Sequence, residues 1–188
     1  STVNITGALT QTNAATGTTT FANTVSVGSA DLKGVAYALN NSFASGGTTT
    51  IANSGTLTKS AGTNITSTGA FNATGNVNLA SNITTTDTDL TIGGNLVLAE
   101  GASVTLSTGA GTAGNILLSA STDGTAGTGT ESLTLQAGTG SVTFSGALGT
   151  GAADSLHNVT ITNAAATNFN STVNITGALT QTNAATGT

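Results

Sequence analysis

Apolar residues occupy every second position in short runs along most of the chain, and Thr, Asn, Ser and Gly lie between them. A period of two is typical of strands that bury one side. Glycine-containing turn signals, such as Gly93-Gly94, end the runs. The apolar positions that share a parity within a run are Val3, Ile5 and Leu9; Leu90, Ile92, Leu96, Leu98, Val104 and Leu106; and Val142, Phe144 and Leu148. The pattern predicts an all-β protein built from many short strands.

The strand-like runs also recur at a longer spacing. The phrase GTTTFAN at 17–23 returns as GTTTIAN at 47–53, and Leu96, Ile116 and Leu133 follow one another at similar intervals. A drifting period of about 20 residues is typical of one coil of a β-solenoid. We therefore predict a parallel β-solenoid (β-helix) with coils of about 20 residues, in which inward Val, Ile and Leu stack between coils. The inward small polar residues predicted to fill its corners are Asn23, Asn53 and Ser171.

A much longer repeat encloses the short one. Residues 1–18 read STVNITGALTQTNAATGT, and residues 171–188 have the same sequence, so position 171 is the counterpart of position 1. We predict that 1–170 form one complete solenoid repeat and that 171–188 begin the next identical repeat, without an internal linker. Each repeat would contain about eight coils and rise roughly 40 Å, with Phe169 stacking in register on the next copy's Phe21. The absence of a start Met or signal peptide predicts an internal segment of a longer protein.

The phrases rich in Thr, Gly and Asn, such as NVTITNAAATNFNSTVNITGAL at 158–179, carry a resemblance to a known class of proteins. They resemble the passenger regions of filamentous haemagglutinin-type adhesins and autotransporters. The resemblance covers the whole chain in composition and pattern. It implies a right-handed parallel β-helix on a bacterial surface and transfers no functional residues.

One stretch, residues 29–43, departs from the strand pattern. Leu32, Val35, Leu39 and Phe43 follow helical spacing, and Ser29 is a suitable N-cap. The stretch predicts a short helical excursion that packs on the flank of the solenoid. It would either cover a wide corner or make a lateral contact with another filament or a receptor. The residues predicted for that contact are Leu32, Val35, Tyr37, Leu39 and Phe43.

Composition limits the classes of partner. Charged residues make up 5% of the chain, the net charge is −5, and Lys33 and Lys59 are its only basic residues besides one His. Without a basic patch the chain is not expected to bind nucleic acid. No apolar run approaches the roughly 18 residues of a membrane span, so we expect none in this segment. Low charge with abundant Thr, Asn and Gly predicts a secreted bacterial protein that is extracellular and located at the cell surface.

Few residues carry candidate chemistry. Asp87-Thr-Asp89 would place two carboxylates about 7 Å apart on one side of a strand, as a solvated turn, a weak calcium site or an acid–base pair. Asp154, Ser155 and His157 have the residue types of a catalytic triad, but such residues also occur together in surface loops. The chain has no Cys and no second His for a transition-metal site. We therefore predict no catalytic residues, no cofactor-binding residues and no enzyme activity, with calcium the one candidate cofactor.

These features together predict a structural repeat of a long extracellular filament or adhesin stalk. Its partners would be other copies of itself, end to end or bundled side by side, and a host or neighbouring cell surface. One alternative is a ligand-binding side, for ice or glycan, formed by outward Thr rows. However, the triplets at 18–20, 48–50 and 84–86 are too far apart to give one Thr row per coil. A β-helix polysaccharide hydrolase or lyase is a further alternative, which the missing catalytic set disfavours.

Overall fold

The computed structural model describes residues 2–13, 16–111, 114–127, 129–151 and 153–182, which form strands and no helix. The prediction of an all-β parallel solenoid is confirmed, with about eight turns of about 21 residues each. The 21 strands are β1 (Val3–Gln11), β2 (Thr18–Phe21), β3 (Val25–Gly34), β4 (Ala36–Leu39), β5 (Phe43–Ser45), β6 (Thr49–Asn53), β7 (Thr56–Lys59), β8 (Ile65–Ser67), β9 (Phe71–Ala73), β10 (Asn76–Leu79), β11 (Ile83–Thr85), β12 (Leu90–Ile92), β13 (Leu96–Leu98), β14 (Ser103–Ser107), β15 (Ile116–Leu118), β16 (Thr122–Gly124), β17 (Ser132–Gln136), β18 (Ser141–Phe144), β19 (Asn158–Asn163), β20 (Ala166–Phe169) and β21 (Leu179–Gln181).

The strands form three parallel ladders, which we call the first, second and third faces in the order that each coil visits them. The first face contains residues 3–5 of β1, residues 25–27 of β3, β5, β8, β11, β14, β17, β19 and β21. The second contains residues 8–11 of β1, residues 30–34 of β3, β6, β9, β12, β15, β18 and β20. The third contains β2, β4, β7, β10, β13 and β16, and single bridges at Leu148 and Val173 continue it. The long strands β1 and β3 turn a corner and belong to two faces.

Coil length varies more than the sequence pattern predicts. On the first face, the coil that leads from Ile65 to its partner Ile83 is much shorter than the coil that leads from Val104 to Leu133. Leu96, Ile116 and Leu133 lie on the third, second and first faces, so the predicted steps between them are not coil steps. The additional residues lie between strands, where a longer turn leaves the ladders in register.

The inward side chains form a continuous apolar core. Val, Ile and Leu at the shared-parity positions of the central coils, such as Ile92, Leu98 and Leu106, are fully buried, as predicted. Two aromatic rings extend the stacking near the C-terminal end. The rings of Phe144 and Phe169 lie parallel with centroids 5.1 Å apart on the second face. Each inward side chain therefore loses contact with water chiefly by packing against the coils above and below it.

The prediction of a helical excursion at 29–43 is wrong. This segment contains most of β3, all of β4 and the start of β5, and it completes one ordinary coil. Leu32 pairs with Ile51 on the second face, and Tyr37 pairs with Leu57 on the third. The chain turns the corner at Gly34, where a Cβ would come 2.7 Å from the Tyr37 hydroxyl oxygen. The corner interrupts the alternation of apolar residues, and this interruption produces the apparent helical spacing.

Asn53 fills a corner between the second and third faces, as predicted. Its Nδ2 donates to the Gly55 carbonyl oxygen at 2.8 Å and to the Asn76 carbonyl oxygen at 3.0 Å, and its Oδ1 accepts from the Gly75 N–H at 3.1 Å. One side chain thus ties two successive coils at the turn. Asn23 and Ser171, predicted for similar corners, are exposed.

A carboxylate placed inside the stack tests the inward assignment. Ile92→Asp or Leu98→Asp would bury an unpaired charge and should lower the free energy of unfolding by several kcal/mol. Thr91→Asp is the matched control, because Thr91 lies outward on the same strand as Ile92. Denaturant titration followed by circular dichroism measures the difference. Equal midpoints for Ile92→Asp and Thr91→Asp would contradict the assignment.

Candidate functional surfaces

A row of outward threonines lies on the first face. Thr105, Thr134, Thr160 and Thr180 pair with one another in register, one per coil. Neighbouring members are separated by the ladder spacing of about 4.8 Å. Thr180 is exposed and the other three are half-buried. We call these four residues the threonine row.

The threonine row escapes a search for Thr triplets. The sequence steps between its members shorten along the chain, so no constant period connects them. The outward rows on the other faces are chemically mixed. The second-face row is Thr10, Asp31, Thr50, Asn72, Thr91, Leu117, Thr143 and Asn168, and the third-face row is Thr20, Ala38, Thr58, Asn78, Val97 and Asp123.

Outward Asn and Asp side chains connect each coil to the next. The Asn82 Oδ1 accepts from the Thr105 N–H at 2.7 Å, and the Asn115 Oδ1 accepts from the Ser141 N–H at 3.0 Å. The Asn158 Oδ1 accepts from the Ala178 N–H at 2.9 Å in the same way. In each case a side chain satisfies a backbone donor near the start of a strand on the following coil. The abundance of Asn thus has a structural role in holding coils together.

An open groove lies along the third face and the corner that leads to the first face. It has a volume of about 390 Å³, and its lining includes Thr58, Asn78, Val97 and Glu100. Lys59 lies at the base of this groove, with only 1% of its surface exposed. The Lys59 Nζ donates to the Ser60 carbonyl oxygen at 2.8 Å and to the Thr63 Oγ1 at 3.1 Å. Burial lowers the pKa of Lys59 below its ordinary value of 10.5.

Sequence reasoning missed that Lys59 is buried and counted it only as a scattered charge. The signal was present, because Lys59 has the same parity as the inward Leu57, and the ladder places it between Leu39 and Leu79. Two other buried polar groups were also missed. The Tyr37 hydroxyl has no hydrogen-bond partner among the described residues, and burial, with a smaller contribution from the charge of Asp31, raises its pKa. Glu131 is fully buried, and its Oε1 accepts from the Gly101 N–H at 3.4 Å.

The two carboxylates proposed for calcium do not lie along a strand. Asp87 and Asp89 occupy the turn between β11 and β12, and Asp87 has a positive φ of 54°. The Asp89 Oδ1 accepts from the Asn115 N–H at 2.7 Å and from its Nδ2 at 3.2 Å, which makes it another coil-to-coil contact. Among the residues that the structure describes, no three His, Cys, Asp or Glu side chains form a group that could hold a metal ion.

Ser155 and His157 contact different neighbours. The Ser155 hydroxyl is buried and donates to the Gly151 carbonyl oxygen at 2.6 Å. The exposed His157 ring has its Nδ1 3.4 Å from the Thr176 Oγ1. A catalytic triad requires the serine hydroxyl to donate to a histidine ring nitrogen, and Ser155 and His157 do not form that hydrogen bond.

The side chains predicted for a lateral contact lie mostly inside the solenoid. Leu32, Tyr37, Leu39 and Phe43 are buried in the core, and Val35 is half-buried at a corner. The four buried side chains are therefore not available to another filament or to a receptor. Outward contacts from this coil would have to use other residues.

No protein-family model, curated protein or solved structure matches the chain. Within the described ranges, no helix has the length and apolar character needed to span a membrane.

Replacing the buried lysine tests its energetic cost. Lys59→Met removes a desolvated ammonium and should raise the free energy of unfolding by about 1–2 kcal/mol at neutral pH. Because the folded-state pKa of Lys59 is lowered, the wild type should recover this difference as the pH rises from that pKa towards 10.5. The raised pKa of Tyr37 destabilises both proteins equally above pH 10, so it cancels in the comparison.

The measurement is denaturant unfolding of both proteins at several pH values between neutral and alkaline. Lys33→Met is the matched control, because Lys33 is exposed and lies 3.4 Å from the Asp31 carboxylate at the surface. It should change stability by less than about 0.5 kcal/mol. A difference for Lys59→Met that does not depend on pH would contradict the role given to burial.

Proposed function

We propose that the chain is one structural repeat of a long extracellular surface filament or adhesin stalk. The observation that supports this most directly is found at the two ends of the solenoid. Among the described residues, three large apolar side chains are exposed: Val3 at 40%, Val173 at 41% and Leu179 at 45%. All three belong to the duplicated sequence that occurs at 1–18 and again at 171–188.

A further copy of the same repeat would cover the exposed apolar residues. Val3 packs against the coil that follows it and Val173 against the coil that precedes it. Each therefore lacks the neighbouring coil on its other side. A copy of the same repeat would supply that coil, cover the apolar side chains and pair the free strand edge. Covering by an adjacent copy explains why the same sequence is exposed at both ends.

The solenoid has properties suited to a shaft. Parallel ladders run along three faces, a continuous apolar core fills the interior, and Asn and Asp side chains bond successive coils. The role is mechanical: stacked coils provide length and stiffness, and contact with a cell surface or with neighbouring shafts uses the outward rows. The location at the cell surface is inferred from composition, with 5% charged residues and abundant Thr, Gly and Asn.

Adding copies tests the filament. Proteins with one, two and four copies should form particles whose contour length grows by roughly 40 Å per copy, because each copy adds about eight coils. Electron microscopy measures the length. In the two-copy protein, Leu179→Asp should interrupt the rod at the junction, whereas the outward Thr180→Asp should not. Lengths that do not scale with copy number, or polysaccharide hydrolysis above background by the purified repeat, would overturn the proposal.

The threonine row supports a second candidate function, a ligand-binding side that recognises ice or glycan. Each member presents a hydroxyl and a methyl group, and four members repeat at the ladder spacing on one face. A regular array of this kind is suited to a ligand that is itself repetitive. The mixed rows on the other two faces lack this uniformity.

Two lysine substitutions made together distinguish this candidate function from the shaft function. Thr134→Lys with Thr160→Lys should abolish ice-growth inhibition or glycan retention if the threonine row binds either ligand. The matched control is Thr91→Lys with Thr143→Lys, since both residues lie in the mixed second-face row. Thermal hysteresis and a glycan array measure the two activities. A wild-type protein inactive in both assays removes this candidate and leaves the filament proposal untouched.

A further inference from the structure

The duplicated sequence lies on different faces at its two occurrences. Val3 is on the first face, whereas its counterpart Val173 is on the third. Leu9 is on the second face, whereas its counterpart Leu179 is on the first. We infer that each copy of the repeat is rotated by one face, a third of a turn, relative to the copy before it. This inference rests on the proposed function, in which copies stack into one shaft.

The first occurrence defines how the segment contacts the coil that follows. Val3 pairs with Val25 and Leu9 with Ala30, in parallel register. The Val3 N–H donates to the Thr24 carbonyl oxygen at 2.9 Å, which fixes the start of this pairing. These contacts use one edge of the segment and leave the other edge free.

The second occurrence defines how the segment contacts the coil that precedes. Val173 bridges to Leu148, and the Asn174 N–H donates to the Leu148 carbonyl oxygen at 2.7 Å. Leu179 pairs with Val159 in the ladder of β19 and β21. These contacts use the edge that is free in the first occurrence.

The two sets of contacts are compatible and describe a complete junction. Val173 would lie between Leu148 and the next copy's counterpart of Val25, on the third face. Leu179 would lie between Val159 and the next copy's counterpart of Ala30, on the first face. Val173 and Leu179 each lie one face earlier, in the order that a coil visits the faces, than their counterparts Val3 and Leu9. A continuous shaft with these pairings is therefore rotated at every junction.

The rotation follows from coil length. Along the first face, eight ladder steps lead from Val3 to Gln181, and the seventh of these steps reaches Ile161. Val173, the counterpart of Val3, comes before the eighth step is complete, so the repeat falls short of eight coils. It lies on the third face, two faces after Ile161. One copy therefore occupies seven and two-thirds coils.

The aromatic residues fit the same junction. Phe21 lies on the third face, so its counterpart in the next copy would lie on the second face. Phe169 is also on the second face, where its ring stacks on Phe144. The step from Phe169 to the next counterpart of Phe21 is within the observed range of coil lengths. The predicted stacking of Phe169 on the next copy's Phe21 is thus the arrangement that rotation by one face produces.

Rotation changes what a partner meets along the shaft. Each copy rises about 37 Å, and the same side chains return to the same side after three copies, about 110 Å. The threonine row would continue into the next copy's counterparts of Asp31 and Thr50, which belong to the mixed row. Every straight stripe thus contains the first face of one copy, the second of the next and the third of the one after. A partner that lies alongside the shaft, on any side of it, would therefore contact all three faces of the repeat in turn.

Disulfide crosslinking in a two-copy protein tests the rotation, because the chain has no cysteine of its own. Outward neighbours in a parallel ladder lie within the Cα separation that a disulfide needs. Thr160→Cys with Thr180→Cys crosses the junction and should crosslink completely if the copies are rotated. Thr180→Cys with the second copy's Asp31→Cys should crosslink in either orientation, because Thr10 pairs with Asp31 within a copy, so this pair reports only that the ladder continues into the second copy. Asn163→Cys with Asn174→Cys would crosslink if the copies were in phase, since Asn4 and Asn163 share one register position along the first face. Thr134→Cys with Thr160→Cys is the matched positive control.

Intact mass and peptide mapping after mild oxidation identify the linked pairs. Crosslinking of the Thr160–Thr180 pair but not the Asn163–Asn174 pair supports rotation by one face. Crosslinking of the Asn163–Asn174 pair but not the Thr160–Thr180 pair overturns the rotation and leaves the filament intact. If neither of these pairs crosslinks, the junction is not a continuous ladder, and the proposed filament fails together with the rotation.

Discussion

Stacking of each coil on its neighbours is the interaction on which the rest of the structure depends. An inward side chain such as Leu98 is buried because the coils above and below place Leu79 and Gly124 against it. Burial is therefore set along the axis, and a coil without a neighbour cannot hide its apolar residues. This explains why the central coils are closed to water while Val3 and Leu179 are exposed at the ends.

The dependence of burial on stacked coils also explains why the corners vary in length. Ladders require register along the strands, but the turns between them have no such requirement. The short step from Ile65 to Ile83 and the long step from Val104 to Leu133 therefore occur on one face without breaking a ladder. Where coils approach closely at a turn, glycine or an amide is needed. Asn53, for example, bonds two coils at once.

The extent to which the fold could be predicted follows from this division between ladders and corners. Alternation of apolar residues is a property of the strands, so it predicts the solenoid and the inward positions of Ile92 and Leu98. Which strand lies above which depends on the turn lengths, and these leave no periodic signal. For this reason the pattern places Ile116 on the wrong face, makes the corner at Gly34 resemble a helix, and does not reveal the threonine row. The burial of Lys59 escapes sequence analysis when its charge is given more weight than its parity.

Identity of sequence between copies does not impose identity of orientation. A strand that enters a junction meets a parallel edge on any of the three faces, and each edge offers the same backbone groups at the same spacing. The ladder therefore accepts a repeat that ends at a fraction of a coil, provided that the apolar positions stay inward. Residues 171–182 satisfy this on the third and first faces as residues 3–11 do on the first and second. In the proposed shaft, a rotation that preserves the core would have no mechanical cost, and it would distribute every outward row around the axis.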